Sequence, residues 1–257
     1  MEKISFIFWE AIKVLSLALL ALLAAKAVAS LPSWGTDGTI KRPWWVKGVL
    51  YSAILILVLL GAWNVGHDVA AESYLWASQD NMEHSQFVKA YTNALRAVRL
   101  RPGVVRYWRA LVAAKVYLQQ FESALDDLPA LQAVNDGELD EKDSYRFAAC
   151  YFFLVRYDKA ISLTQQLIRD NRFYASPYVL QGMAYTALRK YSQAEQTFLA
   201  VLQMFPDHQA AVEGLAHAYF LAGNRARALA VLNETTKYHF SPEAKKRFEA
   251  LKGLYGQ

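Results

Sequence analysis

The side chains able to carry acid–base, nucleophilic or metal chemistry are few and scattered. There are five histidines, His67, His84, His208, His217 and His239, and one cysteine, Cys150. None of the histidines is read as forming a metal-ligand pair with a cysteine or carboxylate at helical or finger spacing. Glu213 and His217 are four apart and share a helix face. They read as a surface ion pair or a polar pair in a groove rather than a catalytic dyad. There is no Gly-rich phosphate loop, no Gly-x-Ser-x-Gly and no Cys/His nucleophile arrangement. No catalytic, cofactor-binding or metal residue is therefore assigned, and the chain is read as a non-enzyme without a cofactor. Cys150 cannot form an intramolecular disulfide and falls on an apolar helix face, as a buried structural thiol would. One charged pair does stand out. Glu10 and Lys13, three apart within an apolar stretch, can pair on one face of a helix and pack against a partner helix.

The elements that place these residues come from a long-period pattern. From Ala175 to Asp207 the chain presents Tyr178, Gly182, Tyr185, Tyr191, Ala194, Phe198, then Pro206. Gly182 and Ala194 are small where two helices would cross closely. The aromatic residues fill the space between helices, and Pro206 cannot continue one. The pattern recurs. From Gln209 it gives Ala216, Tyr219, Gly223-Asn224, Ala228 and Leu232. From Glu141 it gives Phe147-Ala148, Tyr151, Tyr157, Ala160 and Leu167, and from Val105 it gives Trp108, Leu111, Phe121, Ala124, Leu128 and Leu131. The starts Val105, Glu141, Ala175 and Gln209 are spaced by 36, 34 and 34 residues, the extra two falling in the polar turn Asn135 to Asp140. A further second helix, with Phe87, Ala90, Ala94 and Ala97-Val98, lies one period upstream of Phe121, and its first helix would be Ala71 to Ser78. Val112, where a Gly is expected, and Pro129, inside a second helix, make the Val105 unit the least regular.

This pattern resembles the tetratricopeptide (TPR) repeat, two antiparallel helices in about 34 residues. The resemblance covers Ala71 to Phe240. It implies that the first helices line a concave groove, and that residues 2, 5, 9, 12 and 13 of a unit face it. Those positions give Arg106, Arg109 and Tyr117; Tyr145, Phe152 and Phe153; Val179 and Met183; and Glu213, His217, Phe220 and Leu221. TPR domains that clamp a chaperone's C-terminal carboxylate use Lys and Asn at such positions, and this chain offers none of that set. An apolar helix or extended peptide suits the groove better.

Gly48 to Gly66 is uncharged over 19 residues, roughly 28 Å of helix and enough to cross a hydrocarbon core. Trp44, Trp45 and Trp63 bracket it and Lys47 marks one end. Ile4 to Ala29 has a shorter uncharged run, Val14 to Ala25. It reads as a first membrane helix, giving a hairpin, or as a cleaved signal peptide with Ala27-Val28-Ala29 as the cleavage site; bulky Phe6, Phe8 and Trp9 and acidic Glu2 and Glu10 favour the hairpin. Residues 1–66 hold six basic and three acidic residues, and residues 67–257 hold 22 and 20. The basic surplus thus sits beside the apolar region, which points to a membrane surface and away from nucleic acid. Lys41, Arg42 and Lys47 in the connector, against no Lys or Arg in His67 to Gln86, place the connector in the cytoplasm and the repeats in a periplasm-like space.

The expectation is an all-α chain: a transmembrane hairpin over 1–66, a TPR solenoid of four to five units over 67–240, and an amphipathic capping helix over 241–257. Its partner is a protein in a membrane complex; neither nucleic acid nor a small molecule is expected. The architecture also resembles accessory TPR subunits of Pel-type exopolysaccharide secretion, which implies cytoplasmic repeats. A structural subunit of a membrane enzyme or electron-transfer complex is the other alternative.

Overall fold

The computed structural model describes residues 2–30 and 45–256. Every described regular element is a helix. Trp44, Lys41 and Arg42, on which part of the membrane and charge reading rests, lie outside the described residues, as does the side chain of Trp45. The chain divides into two compact units, residues 1–114 and 115–257.

The first unit begins with α1 (Glu2–Ala29) and α2 (Trp45–Glu83). They pack antiparallel: Leu17 lies against Gly61, Tyr51 Oη donates to the Ala25 carbonyl at 3.4 Å, and Phe6 meets Trp76 edge-on at 5.7 Å. A Cβ on Gly61 would stand 2.8 Å from Leu17, so this glycine sets how closely the two helices approach. The apolar run and the expected first repeat helix are one unbroken helix. α2 has 39 residues, about 58 Å of rise, and the boundary expected at residue 66 falls inside it. Nothing between Gly61 and Ser78 is a helix breaker except Gly66, and one glycine costs only about 1 kcal/mol. Leu15, Leu19, Leu22, Leu57 and Leu60 point outward from the hairpin.

α3 (Phe87–Leu100) and α4 (Val105–Tyr117) fold back on the second half of α2. Ala71, Leu75, Ala94, Ala97, Val98, Tyr107 and Leu111 form their core. The alanines let the helices close, and Ser78 Oγ donates to the Ala90 carbonyl at 2.8 Å. Glu72 is buried and accepts from Tyr107 Oη at 2.5 Å and from Arg106.

In the second unit, the helix expected after Phe121 is split into α5 (Phe121–Asp126) and α6 (Leu128–Ala133). Pro129 is the cause: it lacks an N–H and clashes with the carbonyl four residues before it. Then follow α7 (Glu141–Phe153), α8 (Tyr157–Asp170), α9 (Ala175–Ala187), α10 (Tyr191–Met204), α11 (Gln209–Leu221), α12 (Arg225–Glu234) and α13 (Pro242–Tyr255). Each packs on the next, and first helices also touch one another: α7 on α9, α9 on α11, α11 on α13. The starts of α7, α12 and α13 are capped by side chains, Asp140 accepting from Asp143 N–H, Asn224 from Arg227 N–H and Ser241 from Ala244 N–H.

The repeat is written most plainly in the backbone. Ser85, Gln119, Val155, Arg189 and Gly223 all have positive φ, between 57° and 80°. They are one repeat apart and each ends a first helix. The residue after each sends its N–H back five residues: Gln86 to Asn81, Gln120 to Lys115, Arg156 to Tyr151, Lys190 to Tyr185 and Asn224 to Tyr219. This is the Schellman cap, and it turns the chain sharply enough to return the second helix.

Candidate functional site

The face lined by the first helices is built around Phe198. Its ring projects from α10 and is fully buried between α9 and α11. Both neighbours carry a glycine there. A Cβ on Gly182 would stand 2.7 Å from the ring, and one on Gly214 would stand 2.5 Å from it. The two glycines open a window, and the ring forms one wall of a cavity of about 210 Å³ on the far side. Phe152, Met183, Thr186, Ala187, His217 and Leu221 complete the lining, which is mostly apolar. Thr186 spends its hydroxyl on the Gly182 carbonyl at 2.8 Å, which removes a polar group from the wall.

Four of the residues expected to face a groove, Phe152, Met183, His217 and Leu221, therefore come together at one cavity. Val179 is half-buried against the same core. Tyr145 sits beside Tyr174 at 5.8 Å, and burial followed by that neighbour raises its pKa. Phe153 packs flat on Phe121 at 4.7 Å, an inter-repeat contact. Tyr117 is exposed.

Glu213, His217 and Phe220 meet the chain's own last helix. Arg247 pairs with Glu213 at 3.2 Å, which also accepts from Gln209 at 2.8 Å. Tyr255 stacks on Phe220 at 4.3 Å, and its hydroxyl lies 3.3 Å from His217 Nδ1. α13 thus stands where the first helix of a further repeat would stand, and it closes that end of the groove. Tyr255 is buried, and its pKa is raised first by that burial and then by Glu213.

Arg106 and Arg109 belong to the other unit. Arg106 covers the buried Glu72 carboxylate and lies over the Tyr107 ring at 5.5 Å; Arg109 is half-buried. Glu10 is only 4% exposed and pairs with Lys13 Nζ at 2.5 Å, so its carboxylate is enclosed by its own chain and is not presented to a partner helix. Lys13 remains more than half exposed.

Cys150 is fully buried, and burial pushes its thiol up to about 11, leaving it neutral. Among the described residues no three His, Cys, Asp or Glu side chains converge as a metal site would require. The register placed Phe198 between helices but not at the groove, and it missed Gly214 and Tyr255. A glycine inside a helix was the available signal for Gly214.

Comparison with known proteins agrees with this geometry. Residues 185–250 match the tetratricopeptide repeat family model. The fold is a TPR-type solenoid. The structure of a thermophilic TPR protein in Thermus thermophilus is 19% identical, with a TM-score of 0.55 over 70% of this chain and 98% of that one. MamA from Desulfovibrio magneticus is 14% identical, with a TM-score of 0.58 over 65% and 94%. YrrB, described as a TPR protein with an unusual peptide-binding site, is 16% identical, with a TM-score of 0.53 over 69% and 90%. No curated protein matches the sequence. Two helical segments, Trp9–Ala29 and Val46–Glu83, are long and apolar enough to cross a membrane.

Proposed function

We propose that this chain is a non-catalytic, membrane-anchored scaffold that holds a partner protein in a multi-subunit envelope assembly. The observation that carries the reading is the apolar cavity at Phe152, Met183 and Leu221 on a TPR-type solenoid. A cavity of this size and lining takes one or two apolar side chains of a helix or extended peptide. YrrB, with its peptide-binding site, supports that use of the fold. The apolar outward face of α1 and α2 supports the anchor, because water-soluble monomers rarely expose apolar patches beyond a few hundred Å². The loop charges favour the inner membrane with the repeats on its outer side.

A photo-crosslinking residue at Met183 in the full chain should trap a protein partner, and the same residue at Ser192, exposed at the start of α10 and outside the cavity lining, should not. Leu221→Glu should abolish capture. Equal capture from both positions contradicts a groove-bound partner.

A second reading, with cytoplasmic repeats as in Pel-type accessory subunits, is favoured by one observation. The fold brings Arg101 back against Asn64, so cations gather on the repeat side of the apolar band as well. A reporter fused after Gln257 separates the two topologies.

A further inference from the structure

The point at which α2 leaves its apolar band carries a collar of cations that the groove does not use. Arg101, at the end of α3, donates to the Asn64 carbonyl at 2.7 Å and pairs with Asp68 at 2.5 Å. This fixes the end of α3 at the level of Trp63, whose exposed indole lies 4.6 Å from the His67 ring. Arg99, two residues earlier, is exposed at the same level, and no acidic partner for it is found among the described residues. On α1, Leu17 touches Gly61. Lys13 therefore lies one helical turn further toward the repeats, at the depth of the same collar.

The charges here are sorted by direction. Glu10 and Glu72 are turned inward, 4% and 2% exposed, while their partners Lys13 and Arg106 are each 55% exposed. Asp68 is engaged by Arg101. The outward surface is therefore positive even though most of the cations have acidic partners. A tryptophan at the edge of an apolar band, with cations just beyond it, matches the order of hydrocarbon, interface and phosphate in a bilayer.

We propose that this collar, Lys13, Trp63, Arg99 and Arg101, binds the phosphates of anionic phospholipid headgroups and seats the first unit on the membrane surface. The inference rests on the membrane-anchor reading. It is independent of which side the repeats occupy, since it requires only an anionic leaflet.

The test uses the full chain in vesicles of phosphatidylcholine with phosphatidylglycerol, with one lipid or the other brominated. Tryptophan quenching then gives the relative occupancy of the two lipids around the helices. Brominated phosphatidylglycerol should be preferred about five-fold, the effect of one cation at a membrane surface. Arg99→Gln should bring the ratio close to one, and Arg99→Lys should keep it. Arg99 has no acidic partner to lose, so both variants fold. Inorganic phosphate at millimolar concentration should leave the preference intact, because the ligand is a headgroup held at the interface. Equal quenching by both lipids, or a preference unchanged in Arg99→Gln, overturns the collar alone. Release of the protein by carbonate washing overturns the membrane anchor and the collar with it.

Discussion

Replacing Val155 with glycine should stabilise the protein. Val155 occupies the left-handed position that ends α7, at φ 61°, where the last repeat has Gly223 at φ 80°. A left-handed conformation costs an L-residue about 1–2 kcal/mol, and a β-branched side chain is among the least suited to it. The Val155 side chain is 68% exposed, so little burial is lost when it is removed. Glycine gains more freedom in the unfolded chain, which offsets about 0.5–1 kcal/mol. The net gain is about 0.5–1 kcal/mol. For a chain of this size each kcal/mol moves the melting temperature by about 2–4 °C. The assay is thermal melting of the full chain in one detergent, followed by circular dichroism at 222 nm. Gly223→Val should shift the melt downward, and Val155→Asn should fall between parent and glycine variant, because Asn tolerates this backbone region. If Val155→Gly melts at or below the parent while Gly223→Val is neutral, the left-handed cap is not where the strain lies.

Gly214→Ala should destabilise by about 1–3 kcal/mol despite alanine's better helix propensity, because the new methyl would meet the enclosed Phe198 ring at 2.5 Å. Adding Phe198→Leu should recover part of the loss, and a double-mutant cycle measures the coupling. Glu72→Gln should cost about 1–3 kcal/mol by weakening the bonds from Tyr107 and Arg106, read as a lower melting temperature. Cys150 should resist a thiol-specific reagent in the native protein at pH 8 and react fully on unfolding. Because its folded pKa is raised from 9.0 to about 11, its contribution to stability is complete below about pH 9 and is lost as pH rises toward 11. Tyr145, Tyr174, Tyr219 and Tyr255 are raised as well, so their contributions fall away above their ordinary value of 10. Melting curves from pH 8 to 11 should therefore fall, and Cys150→Ala should flatten the first part of that fall.

Much of the architecture is legible along the chain, because a helix shows its buried face at fixed intervals. Small residues at Gly182, Ala194, Ala216 and Ala228 and the aromatics between them mark helix crossings whatever the rest of the molecule does. The same register brings Phe152, Met183, His217 and Leu221 to one cavity. The 39-residue length of α2 is less visible, since an apolar run and an amphipathic helix differ in composition but share one backbone conformation. The left-handed caps at Ser85, Gln119, Val155 and Arg189 leave no mark, because their residue types do not favour that region and the surrounding helices impose it.

What only the tertiary structure decided are contacts between residues far apart in sequence. The chain order does not say that Tyr255 stacks on Phe220, that Phe198 fills a window between two glycines, or that Arg101 returns to Asn64. Glu10 shows the limit in a single residue. Its spacing from Lys13 predicts an ion pair, but the burial of the Glu10 carboxylate within its own chain depends on how α1 packs against the rest of its unit. Local periodicity determines which side chains share a face. Which face then meets which depends on excluded volume and burial summed over the whole fold.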